Sequence, residues 1–235
     1  MTTARTALLV ASKDLRIEWT SRIAINQVLP FSIIVMVMFA FALDRVPGLP
    51  GLEDTILETV APGLVWLATL FSLLILVQRS FAVEADDGAL DALRVAGVEP
   101  AALFWGKTLA LAAQLAVLEL LLLLTALVLY GTSVRPSGVV LLVATWFAAT
   151  FGLAAVGTLY GGLAVGTRGR ETLLPLLVLP VVAPVLIGAT RAVEAALGTG
   201  GTELADGWPW LGVVGVFAVA FGAGGTLAFG PLIDE

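Results

Sequence analysis

Long apolar runs separated by short polar connections make up most of this chain. Six of the runs approach the roughly 20 residues that a helix needs to cross a bilayer. They cover residues 23–43, 61–77, 101–130, 138–165, 171–190 and 208–230. The third and fourth are longer than a straight crossing requires, so we expect them to tilt or to continue into the interface. The pattern predicts one all-α integral membrane domain over residues 1–235, with six transmembrane helices.

A shorter amphipathic stretch, residues 1–22, precedes the first span. Its apolar residues recur at helical spacing, and most of its charged residues lie elsewhere on the helical wheel. The apolar positions are Ala7, Leu8, Ala11, Leu15 and Trp19. This arrangement is typical of a helix that lies in the membrane interface, and we predict a cytoplasmic interfacial helix here.

Composition supports a membrane protein and excludes several chemistries. Hydrophobic residues make up 59% of the chain and charged residues 13%, and the mean hydropathy is +1.03; soluble domains have roughly 25% charged residues. Cysteine and histidine are absent, so disulfides, Cys/His metal sites and histidine-ligated haem are excluded. The GxxxxGK[ST] phosphate loop is absent as well. We therefore predict neither an enzyme nor a nucleic-acid partner.

The distribution of basic residues predicts the orientation. Nine of the twelve Lys and Arg residues lie at the N-terminus or in the connections on the same side of the membrane as both termini. Only Arg45, Arg135 and Arg191 fall on the other side. By the positive-inside rule, both termini are cytoplasmic. Trp208, Trp210 and Tyr130 are then expected as aromatic anchors at the outer interface.

A charged segment with the sequence EADDGALDALRVAGVEP, residues 84–100, lies between the second and third spans. It predicts an amphipathic helix over residues 88–96 that Gly97 ends, with Pro100 in the first turn of the next span. Asp86 and Asp87 are its predicted N-caps. A role in docking another subunit and a role in anchoring the loop both fit this helix. The docking candidates are Glu84, Asp86, Asp87, Gly88, Leu90, Asp91, Leu93 and Arg94.

Polar and proline residues inside the spans are further candidates. Glu119 is a carboxylate deep in an apolar run, with Gln114 about one turn away. They fit a polar path or a bond to another span, and a protonated Glu119 making one structural bond, for example at a subunit interface, fits equally well. Pro175, Pro180 and Pro184 each kink the fifth span, and together they predict a mobile or broken helix that faces the bundle interior, where it could line a path or form an interface.

Glycines in the fourth and sixth spans predict close helix packing rather than ligand binding, because small residues let helix backbones approach. In the fourth span they are Gly152, Gly157, Gly161, Gly162 and Gly166. In the sixth span they are Gly222, Gly224 and Gly225.

Two long motifs give the chain a family resemblance. APGLVWLATLFSLLILVQRSFAVEADDGALDALRVAGVEPAALFWGKTLA (61–110) and ETLLPLLVLPVVAPVLIGATRA (171–192) resemble the CcmB family, the haem exporter B permeases of cytochrome c maturation. The segment KDLRIE (13–18) and Asn26 fit the family's opening, and the resemblance covers essentially the whole chain. Gln78 departs from it, since an acidic residue is expected before Arg79.

The resemblance implies an ABC type-2 exporter-like permease that works as a homodimer in the inner membrane. ATP would be bound by a separate ATPase subunit, CcmA, and residues 84–96 would be the coupling helix seated on it. Further partners would be CcmC, CcmD and the periplasmic haem chaperone. No cofactor is expected on this chain itself, and haem is handled by the complex. Two alternatives stay open, namely an exporter permease for a lipid or drug and a membrane anchor for an ATPase.

Overall fold

In a computed structural model, the described residues, 2–43, 55–86, 97–164 and 170–233, fold as a helical bundle. The first helix, α1 (Thr3–Ser21), leads through Arg22 and one π-helical turn, Ala24–Val28, into α2 (Leu29–Leu43). The remaining helices are α3 (Ile56–Asp86), α4 (Pro100–Leu129), α5 (Val139–Ala164), α6 (Arg170–Leu197) and α7 (Leu204–Ile233). Short 3₁₀ turns, Pro136–Gly138 and Thr199–Gly201, precede α5 and α7.

The six predicted spans are confirmed. Six described helices are long and apolar enough to cross a bilayer, and they cover Ala24–Leu43, Ile56–Ala82, Pro100–Leu129, Pro136–Ala164, Leu173–Leu197 and Leu204–Leu232. The helices extend beyond the predicted spans. A helix can continue past the edge of the hydrocarbon, where polar residues are tolerated, whereas the prediction from hydropathy ends at the last apolar residues. α3 shows this most clearly, since it continues from the predicted end at residue 77 to Asp86. An even number of spans places both termini on one face, called here the terminal face.

The centre of the bundle is built on α5. This helix packs against α3, α4, α6 and α7, whereas α2 packs at the edge on α3 and α4. A Cβ atom added to Gly157 would lie 2.7 Å from Val77 Cγ2, and one added to Gly161 would lie 2.5 Å from Phe81 Cε2. Glycine is therefore needed where α5 meets α3, as the sequence predicted.

The glycines predicted to pack in the sixth span differ in their surroundings. A Cβ on Gly225 would meet the Phe104 ring at 2.2 Å, but nothing lies within 4 Å of the corresponding position on Gly224. Gly224 is on the outside of α7, so it takes no part in helix packing within this chain. Gly166 lies outside the described residues.

Tyr130 also differs from its prediction as an outer aromatic anchor. Its side chain is buried, and its hydroxyl donates a hydrogen bond to the Met36 carbonyl at 2.9 Å. Burial raises the pKa of Tyr130 to about 12, so the phenol stays neutral. Trp208 and Trp210 remain exposed, in agreement with anchoring.

The N-terminal helix is present as predicted, but its apolar stripe is divided. Ala7 and Ala11 are buried together with Val10, whereas Leu8 and Trp19 are mostly exposed. α1 lies along the first half of α4, and its small residues face that helix. At the start of this contact, Thr3 Oγ1 donates a hydrogen bond to the carboxylate of Glu99, the residue before α4. The large apolar residues are left on the outer surface of the bundle.

Candidate functional sites

A buried lysine joins three helices near the terminal face. Lys107 on α4 places Nζ 3.3 Å from Asp14 Oδ2 on α1 and 3.3 Å from Ser80 Oγ on α3. The same ammonium lies 4.5 Å from the centre of the Phe81 ring. Only 1% of the Lys107 side chain is exposed, so the carboxylate, hydroxyl and ring replace water around the charge. We call these four residues the Lys107 cluster.

Close packing beside the Lys107 cluster reinforces the contact between α1 and α4. A Cβ on Gly106 would lie 2.5 Å from Val10 Cβ and 2.7 Å from the Ala7 carbonyl oxygen. The absence of a side chain at position 106 therefore lets the two helices approach until Lys107 reaches Asp14. The geometry makes α1 an integral part of the bundle at this face.

The segment predicted to dock a partner is flanked by the helices of the Lys107 cluster. Glu84 and Asp86 belong to the last turn of α3, so Asp86 is not the N-cap of a separate helix. Asp87, Gly88, Leu90, Asp91, Leu93 and Arg94 lie outside the described residues. Gly97 has a φ of 72°, the left-handed conformation expected of a glycine that ends a helix. Pro100 begins α4, as predicted.

Gln114 and Glu119 lie in separate places. Gln114 lines a small cleft of about 40 Å³ together with Asp14, Glu18 and Arg79, next to the Lys107 cluster. Glu119 lines a cavity farther from the terminal face. Five residues on a helix correspond to about 140° of rotation, so the two side chains point to different sides of α4.

Glu119 is 3% exposed and reaches across to α5. Its Oε2 is in hydrogen-bonding contact with Thr150 Oγ1. The Trp146 side chain also interacts with the Glu119 carboxyl, although among the described residues neither Glu119 Oε1 nor Trp146 Nε1 forms a hydrogen bond of normal geometry. Both residues line a largely apolar cavity of about 160 Å³ between α3, α4, α5 and α6. We call this the Glu119 cavity.

The prolines of α6 do not break it. α6 is one continuous helix over Arg170–Leu197, and Pro180 and Pro184 are exposed on its outer side. The expectation of a broken helix that faces the bundle interior is therefore wrong. Proline lacks the amide hydrogen that would bond the carbonyl four residues earlier, and membrane helices tolerate this loss through local adjustments of the backbone. Pro175 is half-buried.

Several residues of these sites were not identified from the sequence. Lys107 lies inside the predicted third span, and a lysine within an apolar run is the signal that points to it. Asp14 shares a helical face with Ala7 and Ala11, which was a second signal. Thr150 and Trp146 carry no such signal. In the described ranges, no group of three or more Asp or Glu side chains forms a metal site.

Together these features define a class, an all-α membrane protein with six spans and an N-terminal helix packed along its third span. The family model described as CcmB protein matches residues 5–230, and the chain belongs to this family. Proteins called heme exporter protein B are similar to it. The one from Pseudomonas aeruginosa is 35% identical over 164 residues, or 69% of this chain and 72% of the relative.

Two further relatives with the same name extend the comparison. The protein from Paracoccus denitrificans is 33% identical over 190 residues, which cover 80% of this chain and 81% of the relative. The protein from Escherichia coli K12 is 30% identical over 184 residues, which cover 78% and 79%. The similarity therefore extends over most of both chains.

Proposed function

We propose that this chain is the membrane permease subunit of an ABC transporter complex for cytochrome c maturation, handling haem together with its partners. The observation that carries the proposal is the family match over residues 5–230, with relatives called heme exporter protein B. The six spans supply the membrane domain that such a subunit needs. The chain itself is not an enzyme in this proposal.

Energy comes from a separate ATPase subunit, CcmA, because the chain has no phosphate-binding loop of its own. Residues 84–96 dock on that subunit. The Lys107 cluster supports this assignment, since it ties together α3 and α4, the two helices that flank the docking segment. ATP binding brings two ATPase subunits together, and the docked segments carry the movement into the spans.

Two copies of the chain form the membrane unit, and we place their contact on the outer side of α6. Exposed residues recur there at helical spacing along one stripe. They are Leu173, Leu176, Leu177, Pro180, Pro184 and Ile187. A two-fold interface brings the same surface of both copies together, so this stripe would contact its own copy in the partner.

The complex lies in the inner membrane with both termini of this chain in the cytoplasm. CcmC, CcmD and the periplasmic haem chaperone complete it. ATP hydrolysis drives either haem export or the release of the haem-loaded chaperone. The second route suits this chain because it has no histidine to ligate haem iron.

The test is purification of the complex with this chain as bait, read by mass spectrometry and by absorbance near the haem Soret band. We expect an ATPase together with CcmC-like partners and haem. Recovery of an ATPase without haem or CcmC-like partners would indicate that the transporter handles a different molecule. Recovery of no ATPase would contradict the permease function itself.

Docking is tested by changing Leu90→Asp together with Leu93→Asp. Two charges on the predicted apolar face should abolish recovery of the ATPase, because an unpaired charge is costly in an apolar contact. Ser133→Asp, in the exposed connection on the opposite face, is the control and should recover the ATPase normally. An unchanged ATPase yield with the double variant would contradict docking through residues 84–96.

A further inference from the structure

A second pocket lies at the end of the bundle opposite the terminal face. It is formed where the start of α3 meets the end of α6 and the connections that follow α4 and α6, and its volume is about 80 Å³. Its lining is mostly polar, in contrast to that of the Glu119 cavity. The lining residues are Glu58, Thr132, Ser133, Arg135, Leu197, Gly198 and Thr199. We call this the outer pocket.

Each charged side chain of the outer pocket is held in place by its own contacts. Glu58 Oε2 accepts hydrogen bonds from Thr55 N at 2.8 Å and from Thr55 Oγ1 at 3.2 Å. Arg135 Nη2 donates to the Gly198 carbonyl oxygen at 3.1 Å. A Cβ added to Gly198 would overlap the Arg135 guanidinium, so glycine lets this side chain lie directly against the backbone. Neither charge therefore depends on the other for its position.

The two charges of the outer pocket are not paired with each other. No ion pair joins Glu58 and Arg135 in the described part of the chain, although both line one small pocket. The hydroxyl groups of Thr132 and Thr199, both buried, also lack a hydrogen-bond partner among these residues. A carboxylate and a guanidinium each accommodate several hydrogen bonds. The pocket is therefore complementary to a group that carries one cation and one anion.

The Glu119 cavity adjoins the outer pocket, since Thr132 and Leu197 line both. The cavity lies deeper in the bundle and has mainly apolar walls. Leu120 and Val143 line it and are 48% and 42% exposed, so the cavity borders the bilayer. Polarity thus decreases from the end of the bundle inwards, in the same order as in one leaflet of a membrane, where the headgroups lie outside the hydrocarbon.

We propose that the outer pocket binds the headgroup of a zwitterionic phospholipid, phosphatidylethanolamine, with part of one acyl chain in the Glu119 cavity. The phosphate lies against the Arg135 guanidinium, and the primary ammonium donates to Glu58 Oε1. An anionic headgroup such as phosphatidylglycerol would leave the carboxylate unpaired beside a second anion. The proposal does not depend on the haem-handling function, because it rests on contacts within this chain.

The test is native mass spectrometry of the full chain in detergent, titrated with phosphatidylethanolamine or with phosphatidylglycerol of the same acyl chains. We expect phosphatidylethanolamine to have a dissociation constant about tenfold lower, because one additional hydrogen bond to a charged group allows a difference of this size. Soluble glycerophosphoethanolamine carries the same headgroup without acyl chains. It should not compete at equal concentration, and it distinguishes a lipid from a free headgroup.

Two variants separate the roles of the charges. Glu58→Gln should bring both lipids to equal affinity, and continued binding of phosphatidylglycerol shows that this variant is folded. Arg135→Gln should weaken both lipids about tenfold, since both contain the phosphate, and its thermal unfolding midpoint without lipid reports on folding. Arg191→Gln and Glu203→Gln are matched controls outside the outer pocket and should leave both affinities unchanged.

Four outcomes would overturn the proposal. The first is that the unchanged chain binds both lipids equally or prefers phosphatidylglycerol. The second is a preference for phosphatidylethanolamine that survives Glu58→Gln, and the third is undiminished binding of both lipids to the Arg135→Gln variant. The fourth is competition by glycerophosphoethanolamine at equal concentration, which would assign the outer pocket to a soluble headgroup rather than to a lipid.

Discussion

At the scale of single residues, Lys107 makes the most consequential polar contacts. Removal of one partner from a buried ion pair typically costs about 3–5 kcal/mol when the remaining charge is left without compensation. The Asp14 side chain, 10% exposed, keeps a second partner, because its Oδ1 lies 2.9 Å from Lys13 Nζ. We therefore expect Lys107→Met to lower the free energy of unfolding by a smaller amount, about 1–3 kcal/mol, measured by titration of detergent micelles with SDS.

The matched control is the double variant Asp14→Asn with Lys107→Met. Since both charges are gone, its loss of stability should be smaller than the sum of the two single losses. Strictly additive losses would mean that Lys107 and Asp14 do not interact in the folded protein.

Gly106 gives a second prediction at this scale. Gly106→Ala places a methyl group against Val10 and the Ala7 carbonyl, and overpacking of this kind costs about 1–3 kcal/mol. We expect a lower thermal unfolding midpoint in detergent. Gly224→Ala, with nothing within 4 Å of the new atom, should leave the midpoint unchanged or raise it slightly. Equal shifts for both variants would contradict close packing between α1 and α4.

The sequence identified Glu119 because a carboxylate in an apolar run is conspicuous by itself. It could not identify Thr150, 31 residues farther along the chain, because only the packing of α4 on α5 brings the two together. Lys107 is also conspicuous in its apolar run, but apolar periodicity does not define where a span meets water, so the sequence does not show that this lysine is buried. The sequence thus identifies individual polar residues inside the spans, but not the residues of other helices that they contact.

At the scale of elements, the six spans were predictable because hydropathy over about 20 residues depends only on composition. The orientation of a helix is harder to predict when nearly every position is apolar. The prolines of α6 illustrate this, since a spacing of four residues places Pro180 and Pro184 on one side of the helix but does not say which way that side faces.

The outer stripe of α6 gives a prediction for this element. The chain has no cysteine, so a single introduced cysteine can form a disulfide only with the same position in a second copy. We expect Ile187→Cys to form a disulfide-linked dimer on mild oxidation in membranes, because a two-fold interface brings equivalent residues together. Val128→Cys, on α4 and 88% exposed, should remain monomeric on the same gel. Efficient dimerisation through residue 128 instead would move the interface to α4.

At the scale of the whole molecule, the number of spans and the basic residues together predict one orientation. Single cysteines at Thr2 and Ser133 lie in exposed positions on opposite faces of the bundle. In intact cells, a membrane-impermeant maleimide should label Ser133→Cys alone, and Thr2→Cys should react only after permeabilisation. The reverse pattern would invert the orientation and place residues 84–96 out of reach of a cytoplasmic ATPase.

The packing of the bundle is uneven along its length. Near the terminal face, Lys107 joins α1, α3 and α4, and Gly161 seats α5 directly on the Phe81 ring of α3. Farther along, α3, α4, α5 and α6 separate around a cavity of about 160 Å³. We therefore expect the end near the terminal face to be the more rigid one. If residues 84–96 dock on an ATPase as proposed, a force applied there should move α3 and α4 together at this end, and the helices should shift relative to one another around the cavity.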